Sequence, residues 1–201
     1  MIITYVGKEQ CDILYHVIMT GAKLGKSIAV FDNSITHDLF HVFCNGAEED
    51  VVESHGIVVA KDYSFKKEET AYDYIFIYEG LYPRYVGYTD LAIVAPSYSR
   101  TEWDILKEHL KERETMEIKT FLVLRDKINN KFSDKVALSL LGFDPTYMMN
   151  TEFHSKDYSS YISLTHNGKA KISKNGEIYE PVSILCEELY QISSNELKKY
   201  L

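Results

Sequence analysis

Apolar residues in this chain fall into short continuous runs, and the runs are separated by stretches whose apolar positions recur every three or four residues. Residues 1–6, 27–32, 57–60, 72–78, 90–95 and 117–124 are runs rich in Ile, Val, Phe and Tyr. Continuous apolar runs such as 57–60, with those of 1–6 and 27–32, predict buried strands, and the other runs read as strands by their length and their aromatic and β-branched content. Between them, Ile13, Leu14, Val17, Ile18, Ala22 and Leu24 keep helical spacing and end at Gly25 beside Lys23 and Lys26, which predicts a helix with an ordinary C-terminal stop. Further helices are expected over 35–44, from a cap at Ser99 or Thr101 to about 113, over 133–141 ahead of Gly142, over 152–162, and from Pro181 to 192. Residues 196–201 continue the last helix or fray.

Strands alternating with helices predict an α/β fold of three layers, a mostly parallel twisted sheet with helices on both faces. The connections 45–50, 66–69, 127–131 and 166–176 are polar and are expected at the surface. A chain of 201 residues suits one domain, with a core over 1–150 and a helical and loop extension over 151–201. No internal repeat is visible.

Composition narrows the function classes. With 45% hydrophobic and 26% charged residues the chain has ordinary globular content, and a net charge of −8 argues against an extended phosphate-binding surface and so against nucleic acid. No apolar run reaches the roughly 18 residues of a membrane span, so an integral segment is not expected and the cytoplasm is the expected location. Cys11, Cys44 and Cys186 are too scattered for a disulfide framework or a CxxC metal site.

The order of the pieces resembles the ParA/MinD family of P-loop ATPases, including its CpaE-like members. The resemblance is carried by the opening strand with Gly7-Lys8, the helix ending Gly21-Ala-Lys-Leu-Gly-Lys26 before the strand to Asp32, the Tyr72-Asp-Tyr-Ile-Phe-Ile strand, and Asp90-Leu-Ala-Ile-Val-Ala-Pro-Ser97. Phe121-Leu-Val-Leu124 and the helix 135–142 extend it to about residue 150. The resemblance implies a P-loop NTPase-like fold with a nucleotide site at the first strand-to-helix turn, in which Gly7, Lys8 and Asp32 would be vestigial binding residues.

The family loop is written KGGxxGK[ST], with glycines that let backbone amides close around phosphates and lysines that neutralise them. Here the second lysine, the magnesium-binding Ser or Thr and the other glycines have no counterpart. Tyr78 stands where the family keeps a magnesium-linked aspartate, with Glu79 one residue on. Leu124-Arg125-Asp126 lacks the family's base-contacting asparagine. Glu9 and Asp12 stand where anions would approach, each like-charge pair at about 5 Å and an effective dielectric of about 20 costing on the order of 3 kcal/mol. The implied protein is a degenerate ParA/MinD-like pseudo-ATPase without catalytic residues or cofactor, acting as an interaction or regulatory adaptor with a protein partner or as a homodimer, in pilus assembly or secretion. The alternatives are a divergent ATPase that still binds ATP and magnesium, and a small-molecule or metal enzyme on a similar sheet.

Other candidate chemistry has an ordinary reading beside it. His37, His41 and Cys44 would share a helix face, with His55 as a further ligand, yet half-buried histidines on a short helix fit as well. Cys11 stands near a helix N-terminus, which lowers thiol pKa values, but no base accompanies it. Ser97 and Ser99 lack the strained turn of a hydrolase nucleophile. Sixteen tyrosines are the most unusual feature of the composition. Tyr78, Tyr82, Tyr85, Tyr88 and Tyr98 gather near two strand ends with Arg84, and Tyr78, Tyr82, Arg84, Tyr85 and Tyr88 are the expected interface residues, since tyrosine and arginine are enriched at protein interfaces.

Overall fold

The structure is a computed structural model that describes residues 1–44, 46–62, 71–83, 89–115, 118–127, 133–142 and 144–201. In chain order its elements are β1 (Ile2–Gly7), α1 (Asp12–Lys23), β2 (Ile28–Asp32), α2 (Asp38–Cys44), β3 (Val51–Ser54), β4 (Ile57–Lys61), β5 (Tyr74–Gly80) and β6 (Leu91–Ala95). They continue with α3 (Arg100–Thr115), β7 (Lys119–Lys127), α4 (Asp134–Leu141), β8 (Tyr147–Glu152), α5 (Ser155–Asn167), α6 (Tyr179–Tyr190) and α7 (Ser194–Leu197). The eight strands form one sheet in the order β3-β4-β2-β5-β1-β6-β7-β8, and every pairing is parallel except β3 with β4. The expected α/β layering is therefore what the chain adopts.

Strand alternation sorts the side chains between two faces. Ile3, Tyr5, Val30, Phe76, Ile93 and Phe121 point into the larger core, which is closed by α1, α2, α5 and α6 through Ile13, Val17, Phe40, Leu164, Val182 and Leu189. Val6, Ala92, Val94, Leu122 and Leu124 point the other way, onto Trp103, Leu106 and Leu110 of α3 and Ala137 of α4. Each fully buried side chain of this size contributes about 1.5–3 kcal/mol. Residues 151–201 join the larger core: α6 lies along α1, where the Tyr190 hydroxyl donates to the Val17 carbonyl at 2.9 Å over the small Gly21.

Several expected boundaries move. The helix expected over 35–44 begins at Asp38, because Asp32 and Ser34 first organise a tight loop. The helix expected over 152–162 runs Ser155–Asn167, since Glu152 still belongs to β8. The strand expected over 117–124 reaches Lys127, the first residue of the expected polar turn 127–131, and residues 128–132 lie outside the described residues. Edge strand β3 was not expected. It pairs with β4 through a hairpin in which His55 and Gly56 both have positive φ, at 55° and 73°, as a two-residue turn requires. Helix α4 is capped by Ser133, which accepts from the Val136 amide, and ends on left-handed Gly142, as its sequence predicts.

Candidate functional site

In a parallel sheet with helices on both faces, ligands bind outside the carboxyl ends of the strands, where the strand order reverses. Here β1 lies between β5 and β6, and the turn from β1 into α1 stands at that rim. Gly7 begins the turn at φ 138°, and a Cβ there would collide with the backbone of Ala95. The next amide, of Lys8, donates to the Ala95 carbonyl at 2.9 Å, which locks the turn against β6. Only glycine allows the two backbones to meet this closely.

Two amide donors of this turn and of the first turn of α1 are taken by the protein's own carboxylates. The Cys11 N–H donates to Asp38 Oδ2 at 3.1 Å, and the Ile13 N–H to Asp12 Oδ1 at 2.7 Å. Asp12 is buried, and both its oxygens are held by Arg125 from the end of β7, with Nη1 to Oδ1 at 2.8 Å and Nη2 to Oδ2 at 3.0 Å. Gln10 Nε2 adds a bond to Asp12 Oδ2 at 2.9 Å. Burial works against the charge of Arg125, and the field and hydrogen bonds of Asp12 more than offset it, so its pKa rises. Two-point pairing of this kind fixes both side chains in one geometry.

Glu9 also turns inward. Its carboxylate accepts from the Ile35 and Thr36 amides at 3.4 and 3.0 Å and packs over Gly80, where a Cβ would lie 2.6 Å from Glu9 Oε1. Glu9 and Asp12 were expected to repel an approaching anion; the structure instead places them in contact with donors of the loops. Lys8 reaches across to form an ion pair with Asp126.

Asp32 ends β2 fully buried. Its Oδ1 accepts from the Ser34 amide at 3.0 Å and the Ser34 hydroxyl at 2.6 Å, and its Oδ2 from the Phe40 amide at 2.8 Å. Burial raises its carboxyl to about 6. Asp38, the first residue of α2, collects the Cys11 amide and the Tyr161 hydroxyl, the latter at 3.3 Å, and burial raises its pKa as well. Burial pushes the Cys11 thiol up, so the helix N-terminus does not make it a reactive thiolate. Gly7, Lys8 and Asp32 thus share one rim, each engaged with its own neighbours.

The expected tyrosine surface needs correction. Tyr78 is fully buried, with its ring 5.0 Å from Tyr5 and its hydroxyl facing the Asp38 carboxylate, so it belongs to the core and not to an interface. A strand buried on both faces leaves no outward direction for it. Tyr82 is exposed, whereas Arg84, Tyr85 and Tyr88 lie outside the described residues. Glu79 is buried and accepts from Asn33 Nδ2 at 3.1 Å. His37 precedes α2 and places Nε2 3.2 Å from Asp62, and among the described residues no group of His, Cys, Asp or Glu is arranged to hold a metal. The sequence reading missed Arg125 as a site residue: it carried the signal of a charge directly after an apolar strand, but its partner stands 113 positions away.

A parallel sheet flanked by helices, with a glycine turn from the first strand into the first helix, is the architecture of P-loop nucleotide-binding proteins. Among solved structures the chain is similar to one in the MinC:MinD cell division protein complex of Aquifex aeolicus, at TM-score 0.66 and 11% identity over 96% of this chain and 97% of that one. It is also similar to a ParA family ATPase from Chlorobium tepidum (TM-score 0.60, 9% identity, 95% and 98% covered). A third similar structure is a putative plasmid partition protein from Borrelia burgdorferi bound to AMPPNP (0.60, 10%, 94% and 98%). The chain therefore has a MinD/ParA-like fold, and at these identities the likeness concerns the fold alone. No family model and no curated protein matches the sequence. Among the described residues no helix is long and apolar enough to cross a membrane.

Proposed function

We propose that this protein is a pseudo-ATPase with a MinD/ParA-like fold, in which the nucleotide cradle has been filled from within and the remaining task is protein interaction. The carrying observation is the Asp12–Arg125 pair at the α1 N-terminus, supported by Asp38 on the Cys11 amide. An anion binding here would have to displace carboxylates that already hold these donors, and Arg125 is already neutralised. ATP and magnesium do not fit the residues present: Lys8 is tied to Asp126, Tyr78 is buried where a metal-linked acid would be wanted, and Asp32 is spent on Ser34 and Phe40. The reading in which nucleotide still binds through Lys8 and Asp32 requires all of these contacts to break.

The partner is a protein, either another copy or a different chain. One similar structure is itself a complex of two proteins, which supports this choice. A role as an adaptor in pilus assembly or secretion rests on the resemblance to CpaE-like members.

A thermal melt with and without ATP and magnesium tests the reading. A ligand at a hundred times its Kd adds about 2.7 kcal/mol to stability, which moves the midpoint by a few degrees in a chain of this size. The expected result is no shift at millimolar ATP. A rise that disappears in Lys8→Ala overturns the proposal.

A further inference from the structure

Beside the filled cradle a cavity of about 90 Å³ opens between the β1–α1 turn and the start of α5, lined among others by Lys8, Asp126, Glu152, His154, Asp157 and Tyr158. Small-molecule pockets run to roughly 300–1,000 Å³, so this one suits a side-chain head group better than a nucleotide. The charges on its wall are unevenly placed. The two cations, Lys8 and Arg125, are each already paired, with Asp126 and Asp12. The β8–α5 side adds Glu152, which is exposed, and Asp157, whose Oδ2 accepts from the Glu177 amide at 2.8 Å and lies 3.9 Å from His154 Nδ1, so Glu152 is the acid left to meet a cation. Lys156 is exposed on α5 but does not line the cavity.

An aromatic shelf lies at its mouth. Phe153 is 58% exposed and Tyr158 50%, their rings 6.1 Å apart, and Ile162 continues the apolar stripe one turn along α5. Exposed aromatic faces beside carboxylates attract cations through both the ring quadrupole and the opposite charge. Tyr161 on the same helix reaches Asp38, which ties this surface to the cradle.

We propose that the cavity and its aromatic shelf receive a lysine or arginine side chain presented by a partner protein. The inference rests on the reading above that the cradle is not used for nucleotide. The acidic wall selects the cationic head, and Phe153 and Tyr158 cover its apolar stem and flanking residues.

The test uses fluorescein-labelled peptides of equal length, built on glycine and serine, whose central pair is Leu-Arg, Leu-Lys or Leu-Glu. Binding is followed by anisotropy in low and high salt. The arginine and lysine peptides are expected to bind at least about tenfold more tightly than the glutamate peptide, and salt weakens them. Glu152→Lys and Phe153→Ser are expected to remove most of that preference. Both residues are exposed, so an unchanged melting midpoint shows that the fold persists. Equal binding of all three peptides, or a preference indifferent to both variants, overturns the proposal, as does self-association that Phe153→Ser abolishes without any peptide preference. A parallel titration with ATP keeps the readings apart: a chain that binds ATP and still prefers basic peptides contradicts only the pseudo-ATPase reading. One that binds neither contradicts only this inference.

Discussion

The two terminal nitrogens of Arg125 hold both oxygens of Asp12 at 2.8 and 3.0 Å, fastening the first turn of α1 to the end of β7. Both side chains are buried, so their charges must cancel locally. On the reading proposed above, the pair supplies an internal anion at the rim where this fold class ordinarily receives one from outside. Asp12→Asn or Arg125→Met leaves one charge buried without its partner, and each is expected to cost about 3–5 kcal/mol. The double variant should cost clearly less than the sum. A double-mutant cycle in urea measures the coupling, and additive single costs would show that the pair is incidental.

Gly7→Ala is expected to destabilise the chain by roughly 3 kcal/mol or more, because its φ of 138° is open only to glycine and the added methyl meets the Ala95 backbone, which has nowhere to move in the middle of the sheet. Urea denaturation checks it. A cost below about 1 kcal/mol would mean that the turn is free to relax.

Tyr78 separates packing from polarity. Its hydroxyl and Asp38 Oδ1 are both buried and neither has a hydrogen bond of good geometry. Tyr78→Phe should therefore change stability by no more than about 1 kcal/mol, whereas Tyr78→Ala empties a core position and should cost about 3–5 kcal/mol. If Tyr78→Phe proves as costly as Tyr78→Ala, the hydroxyl holds more of the cradle together than its geometry implies.

Two buried groups give opposing pH dependences. Burial raises Asp32 to about 6 from 3.8, so the folded chain holds that proton more firmly than the unfolded chain, and stability falls as pH rises between those values, by roughly 3 kcal/mol at most. Burial lowers His16 to about 4 from 6.5, so the unfolded chain binds more protons and stability rises with pH over that window by a similar amount. Asp38, also raised by burial, adds to the Asp32 trend, so the His16 contribution is opposed by both carboxyls. Urea midpoints from about pH 4 to 6.5 should slope more upward with pH in Asp32→Asn than in the wild type and fall with pH in His16→Gln, and parallel profiles for all three proteins would contradict the assignment.

The sequence was most legible where physics is local. Short apolar runs such as 28–31 and 91–95, rich in β-branched and aromatic or aliphatic residues, suit strands buried on both faces, and Ser133 with Gly142 marks a helix by its own caps. Strand β3 escaped because Val51 and Val52 are its only apolar residues and it lies half in solvent, although His55-Gly56 is a turn signal. Tyr78 was misplaced against a signal already present, since a residue in the middle of a doubly covered strand cannot face a partner. The site was legible in position but not in content. Gly7, Lys8 and Asp32 mark the rim, while the chemistry there depends on Asp12 meeting Arg125 and Cys11 meeting Asp38, which are contacts made by folding and invisible to local pattern. Asp12 alone reads as a repelling charge, and only its pairing with Arg125 shows it as part of the turn's own hydrogen-bond network.

Equilibrium dialysis of radiolabelled ATP with magnesium against the pure chain tests the filled cradle most directly. The account predicts no saturable binding at millimolar nucleotide and no release of phosphate. Saturable binding at micromolar ATP, lost in Lys8→Ala, would contradict it.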